Sequence, residues 1–134
     1  MVGFKNDSSR LKSEYNALQE KNMPLFDAIN DLDAWISTTL NKPLILTMIY
    51  RTPEEQDELY KDDPKYQTKP FKSPHQFNQA ADVHSLDFSQ DEIDQIVNYL
   101  NDKYNATNYY SFSALFHQID NNGLHLHFQY YKVR

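Results

Sequence analysis

Apolar positions in the first half of the chain follow two different periods. After Pro24, Leu25, Ile29, Leu32, Ile36 and Leu40 recur close to every 3.6 residues, and Trp35 widens the stripe. This predicts a helix packed by one face. "LILTMIY", residues 44–50, is instead a short run, apolar except for Thr47, between Pro43 and Arg51, the pattern of a buried strand. Thr52, Pro53 and Glu55 then supply a cap, a first helical position and a capping box for a helix ending near Lys61. A loop containing lysines and prolines is expected from there to residue 72, with Lys61, Lys65, Lys69 and Lys72 as solvated charges.

In the second half, Ser89 and Glu92 box the start of a helix reaching Tyr104, with Ile93, Ile96, Val97 and Leu100 as its buried stripe. "YYSFSALF", 109–116, and "LHLHFQYY", 124–131, read as strands separated by the turn residues "DNNG". The last strand alternates: Leu124, Leu126, Phe128 and Tyr130 face one side, and His125, His127, Gln129 and Tyr131 face the other. Residues 1–22 are polar and read as an N-terminal lead-in, mobile or a surface helix, ahead of one domain over 23–134. The expected class is α+β, a small antiparallel sheet packed with helices.

Composition narrows the chemistry. With 134 residues, 40% hydrophobic and 14% aromatic, the chain has material for a core and is not expected to be disordered. Only 2 glycines argue against glycine-rich phosphate loops. A net charge of -6 argues against nucleic acid as a partner. With 0 cysteines, disulfides, thiolate ligands and cysteine nucleophiles are excluded, so any metal must be held by His, Asp or Glu. No apolar run suits a signal peptide or a membrane span, so the chain is expected to be made in the cytoplasm without a membrane partner.

"SPHQFNQAADVH", residues 73–84, places His75 and Asp82 at a separation that neither a helix face nor a strand face can unite. The backbone between them must turn. Two histidines on one face of the last strand are costly in an apolar core and natural in a polar cleft. His75, Asp82 and one of His125 or His127 would give two imidazoles and a carboxylate. That is the protein ligand set of a catalytic zinc whose fourth position stays open. His84 reads as a surface residue at a strand end, and His117 has no assigned role.

In these residues the chain resembles the D-Ala-D-Ala carboxypeptidase and L-Ala-D-Glu endopeptidase family of zinc peptidases. "SPHQFNQAAD" is similar to its S-x-H-x-x-G-x-A-x-D motif through Ser73, His75, Ala80 and Asp82, with Asn78 where the family has glycine. "YRTPEEQDELY", 50–60, is similar to the family's arginine segment. "HLHFQ", 125–129, resembles the H-x-H strand of the wider group that includes lysostaphin-type peptidases and hedgehog-like domains. The similarity spans roughly residues 44–131, nearly the whole expected core.

The resemblance implies a hedgehog/D-Ala-D-Ala peptidase-like fold and one zinc per chain on His75, Asp82 and His127. It implies that Arg51 holds the scissile carbonyl or the oxyanion formed from it, and that Ser73 orients a substrate carboxylate or a nearby backbone group. Members with a general base commonly carry Glu or Asp three residues before the final ligand; here that residue is Leu124, which leaves His125, or Asp120 near the turn, for proton transfer. The implied activity is cleavage of peptidoglycan stem peptides by a phage lysin or virion-associated protein, acting on the wall after release or within the virion. The alternative is a non-hydrolytic zinc domain of the same fold, with virion proteins as partners.

Overall fold

A computed structural model describes residues 1–118 and 124–133. Its elements run β1 (Gly3–Phe4), α1 (Ser9–Lys21), α2 (Met23–Leu40), β2 (Ile45–Met48), α3 (Pro53–Leu59), α4 (Pro64–Thr68), β3 (Ala80–Val83), α5 (Gln90–Tyr104), β4 (Ala114–Gln118) and β5 (Leu124–Gln129). The class is α+β. The sheet order is β1-β2-β3-β5-β4, and β1 runs parallel to β2 while the other neighbours are antiparallel. The sheet is therefore mixed, where a purely antiparallel one was expected.

The two sheet faces have different tasks. Leu46 of β2, Ala81 and Val83 of β3, and Leu126 and Phe128 of β5 enter the core with Leu25, Ile29, Leu32 and Ile36 of α2 and Ile93, Ile96 and Leu100 of α5. Burying each of the larger side chains contributes about 1.5–3 kcal/mol. Because strand side chains alternate, Asp82, His125, His127 and Gln129 lie on the opposite face. Trp35 stacks on Tyr99 of α5 with ring centroids 4.5 Å apart, which ties α2 to α5.

The lead-in is built into the fold. Ser8 Oγ caps α1 by accepting from Leu11 N at 3.1 Å, and Leu11 and Leu18, two turns apart on one helix face, are buried. The capping boxes read at Thr52–Glu55 and Ser89–Glu92 are both formed. The segment after Lys61, expected to be a loop, contains α4, whose start is set by Asp63 as cap and Pro64 as first residue. The strand expected over 109–116 begins only at Ala114. Before it, backbone groups are taken by asparagine side chains: Asn108 Oδ1 accepts from Tyr110 N at 3.2 Å, and Asn101 Oδ1 accepts from Ser113 N at 2.7 Å. The "DNNG" turn and Asp120 lie outside the described residues.

Arg10 fastens α1 to the segment that ends in Arg51. Its guanidinium donates to Glu55 Oε1 and Oε2 at 2.8 Å each, to Glu14 Oε2 at 2.7 Å and to the Tyr50 carbonyl at 3.0 Å. The Arg10 hydrogen bond holds the Glu55 carboxyl at about 2, below its ordinary 4.5. A carboxyl lowered by folding stabilises above its unfolded value and loses that contribution as pH falls towards the folded one. With Glu55 38% exposed, solvent screening limits the pair to about 1 kcal/mol or less. Urea unfolding should therefore find Arg10→Ala less stable than wild type at neutral pH. The gap should narrow between the values of 4.5 and about 2. A gap independent of pH would assign the loss to packing.

Candidate metal centre

The turn required between His75 and Asp82 is specified by its own residues. Ser73 Oγ accepts from His75 N at 3.2 Å, Pro74 takes the first position, and Gln76 Oε1 accepts from Ser73 N at 2.8 Å, so a single 3-10 turn spans Pro74–Phe77. Asn78 then adopts φ 57° and ψ 39°, a left-handed conformation that asparagine tolerates better than most residues, and it redirects the chain into β3. Asn22, the cap of α2, donates to the carbonyls of Asn78 and Tyr130 at 3.0 Å each, which ties this turn to the end of β5.

Asp82 of β3 and His127 of β5 are direct register partners. His75 reaches the same point from the turn, and one ligand atom from each of the three residues lies within 4.8 Å of the others. The rings of His75 and His127 meet edge to face, with centroids 5.1 Å apart. His75 and Asp82 are each 1% exposed and His127 6%. His75 Nε2 is 3.2 Å and His127 Nδ1 2.9 Å from the same oxygen, Asp82 Oδ1. Ligands about 2.0–2.2 Å from a tetrahedral ion stand about 3.3–3.6 Å apart, close to these separations.

The outer hydrogen bonds decide which ring nitrogens carry hydrogen. His75 Nδ1 is 2.8 Å from the Ile49 carbonyl, which can only accept, so Nδ1 donates, and in the neutral ring the Nε2 lone pair would face Asp82. His127 Nε2 is 3.0 Å from Gln129 Oε1, so Nε2 donates, and in the neutral ring the Nδ1 lone pair would also face Asp82. Two lone pairs and a carboxylate then converge in a buried site. Protons on both rings or one cation among the three groups satisfies that arrangement, and the donor set of two imidazoles and a carboxylate suits zinc. With both rings protonated, burial still pushes the Asp82 carboxyl up, but the charges and hydrogen bonds of His75 and His127 outweigh it and hold the group far below the usual carboxylate range.

Two openings reach this centre. A cleft of about 760 Å³ is lined by Met48, Arg51, Glu54, Glu58, Asp82 and His125, among others, and a smaller cavity of about 180 Å³ by Arg51, Tyr60, Phe71, Ser73, His75 and His127, among others. Arg51 borders both while only 4% exposed. Its Nη1 donates to Gln56 Oε1 at 2.8 Å, and its backbone N–H to the His75 carbonyl at 3.2 Å. Burial pushes the guanidinium below its ordinary value, and the negative charge of Asp82 acts against that shift.

His125 is half-buried on the cleft wall with Asp82, and its register partner on β4 is His117. Ser73 combines its capping role with a place on the smaller cavity. His84 stands outside the cluster, with Nε2 3.5 Å from Asp87 Oδ2. Leu124 is 58% exposed. The alternation on β5 puts Gln129 on the histidine face but gives its side chain no role; the signal is its spacing two residues after His127. The Ile49 carbonyl leaves no mark in a sequence. Comparison with family models, curated proteins and solved structures returns no match to this chain.

Proposed function

We propose that the protein is a zinc-dependent peptidase of the hedgehog/D-Ala-D-Ala peptidase-like fold, acting on peptidoglycan stem peptides as a lysin or virion-associated enzyme. The observation that carries this reading is the convergence of His75 Nε2, Asp82 Oδ1 and His127 Nδ1 beside a cleft that also presents Arg51 and His125. When bound, zinc supplies a Lewis acid and brings the pKa of water towards neutrality. His75, Asp82 and His127 hold it. Arg51, anchored by Gln56, directs its guanidinium at the scissile carbonyl oxygen as negative charge develops there. His125 takes the proton released as water oxygen bonds the carbonyl carbon. It returns that proton to the amine nitrogen as the carbon–nitrogen bond breaks.

Incubation with peptidoglycan fragments should give stem-peptide cleavage that a chelator abolishes and added zinc restores. Folded, zinc-loaded protein that cleaves no stem-peptide bond would remove the hydrolytic reading for those substrates. A zinc domain kept for stability within a virion would then replace it, a reading favoured by Leu124 in place of an acid three residues before His127.

A further inference from the structure

The side chain of Gln129, 5% exposed, bridges the His127 ring and a loop carbonyl. Its Nε2 donates to the Phe112 carbonyl at 3.2 Å, which settles which end of the amide points where. Gln129 Oε1 therefore faces His127 Nε2 and accepts its hydrogen at 3.0 Å. A neutral ring holding hydrogen on Nε2 keeps its Nδ1 lone pair on Asp82, 2.9 Å away. With the amide reversed, an N–H group would confront Nε2 and favour the opposite tautomer, whose Nδ1 hydrogen would occupy a ligand position.

We infer that Gln129 is a positioning residue that sets the tautomer and ring orientation of His127, with the Phe112 carbonyl as its fixed reference. The loop before β4 is held firmly enough for that role. Asn108 Nδ2 donates to the Gln129 carbonyl at 2.9 Å and to Ser113 Oγ at 3.0 Å, Gln129 N donates to the Ser113 carbonyl at 2.8 Å, and Asn101 Oδ1 holds Ser113 N. The inference rests on the metal reading for its consequence, but its observable, the tautomer, exists without an ion. Groups that hydrogen-bond the outer nitrogen of a ligating histidine change metal affinity by about 10–100-fold when lost.

The test uses Gln129→Met, which keeps volume and loses the acceptor, and Gln129→Glu, which keeps an acceptor. Long-range proton–nitrogen correlation spectra of the metal-free proteins at about pH 8 report the tautomer of neutral histidine. Competition with a chromophoric chelator gives zinc affinity. Wild type and Gln129→Glu should show His127 with hydrogen on Nε2. Gln129→Met should show mixed tautomers and about 10–100-fold weaker zinc binding. Hydrogen on Nδ1 with none on Nε2 in wild type overturns the inference without any variant. So does a Gln129→Met protein with the wild-type tautomer and affinity. If wild type binds no zinc, the metal reading fails, while the tautomer comparison still decides the role of Gln129.

Discussion

Asp82→Ala is expected to leave the protein without zinc, at a stoichiometry near zero against close to one per chain in wild type. Asp82 Oδ1 is the atom towards which both imidazoles turn, and it is the only anionic donor in the cluster among the described residues. Without it, two imidazoles remain, too few for the three-ligand site. His75→Ala and His127→Ala should also release the metal. They should cost stability as well, because each leaves the buried Asp82 carboxylate short of a partner, a loss of about 3–5 kcal/mol for a buried charge. Metal analysis after gel filtration, with thermal unfolding in parallel, measures both effects. Full zinc retention in folded Asp82→Ala protein would rule out this ligand set.

His125→Ala is expected to abolish peptide cleavage and keep the metal. Adjacent same-face positions on β5 separate the tasks: His127 faces Asp82 directly, whereas His125 lies on the cleft wall. Peptide hydrolysis needs a proton delivered to the leaving amine, and the exposed Leu124 offers no group for that. Activity in wild type should be weak and greatest near neutral pH. Arg51→Lys should keep fold and zinc while lowering turnover about a hundredfold, because one ammonium cannot hold Gln56 and a substrate oxygen in the fork geometry of a guanidinium. Cleavage that survives His125→Ala but disappears in Asp120→Asn would move proton transfer to the segment beyond β4. Zinc loss in His125→Ala would make that residue a ligand.

The elements easiest to read were those whose signal is local. The period of α2, the boxes at Thr52 and Ser89, and the alternation of β5 each depend on neighbours a few residues away. Apart from α4, whose cap Asp63 and first residue Pro64 are local, what escaped depends on distant partners. β1 is only Gly3–Phe4, and its pairing exists because β2 offers an edge. The 109–116 run has strand residues throughout, yet Asn101 and Asn108 compete for its backbone. The candidate site divides in the same way. Residue type and motif order marked His75, Asp82 and His127 as ligand types, and alternation placed Gln129 beside them, while the Phe112 and Ile49 carbonyls and the Arg10 clamp are partners that only the fold brings near.

The rung that pairs Asp82 with His127 joins residues 45 apart in sequence. Contacts of that span pay loop-closure entropy before they return anything, so β3–β5 pairing is expected to follow the local turn around His75. The complete ligand set therefore belongs to chains in which β5 has already docked. An ion that binds only such chains shifts the folding equilibrium by mass action, by about 4 kcal/mol when its free concentration is a thousandfold above Kd. Metal supply would then control how much of this protein accumulates, because chains synthesised in zinc-poor surroundings would open more often and be removed first by proteases.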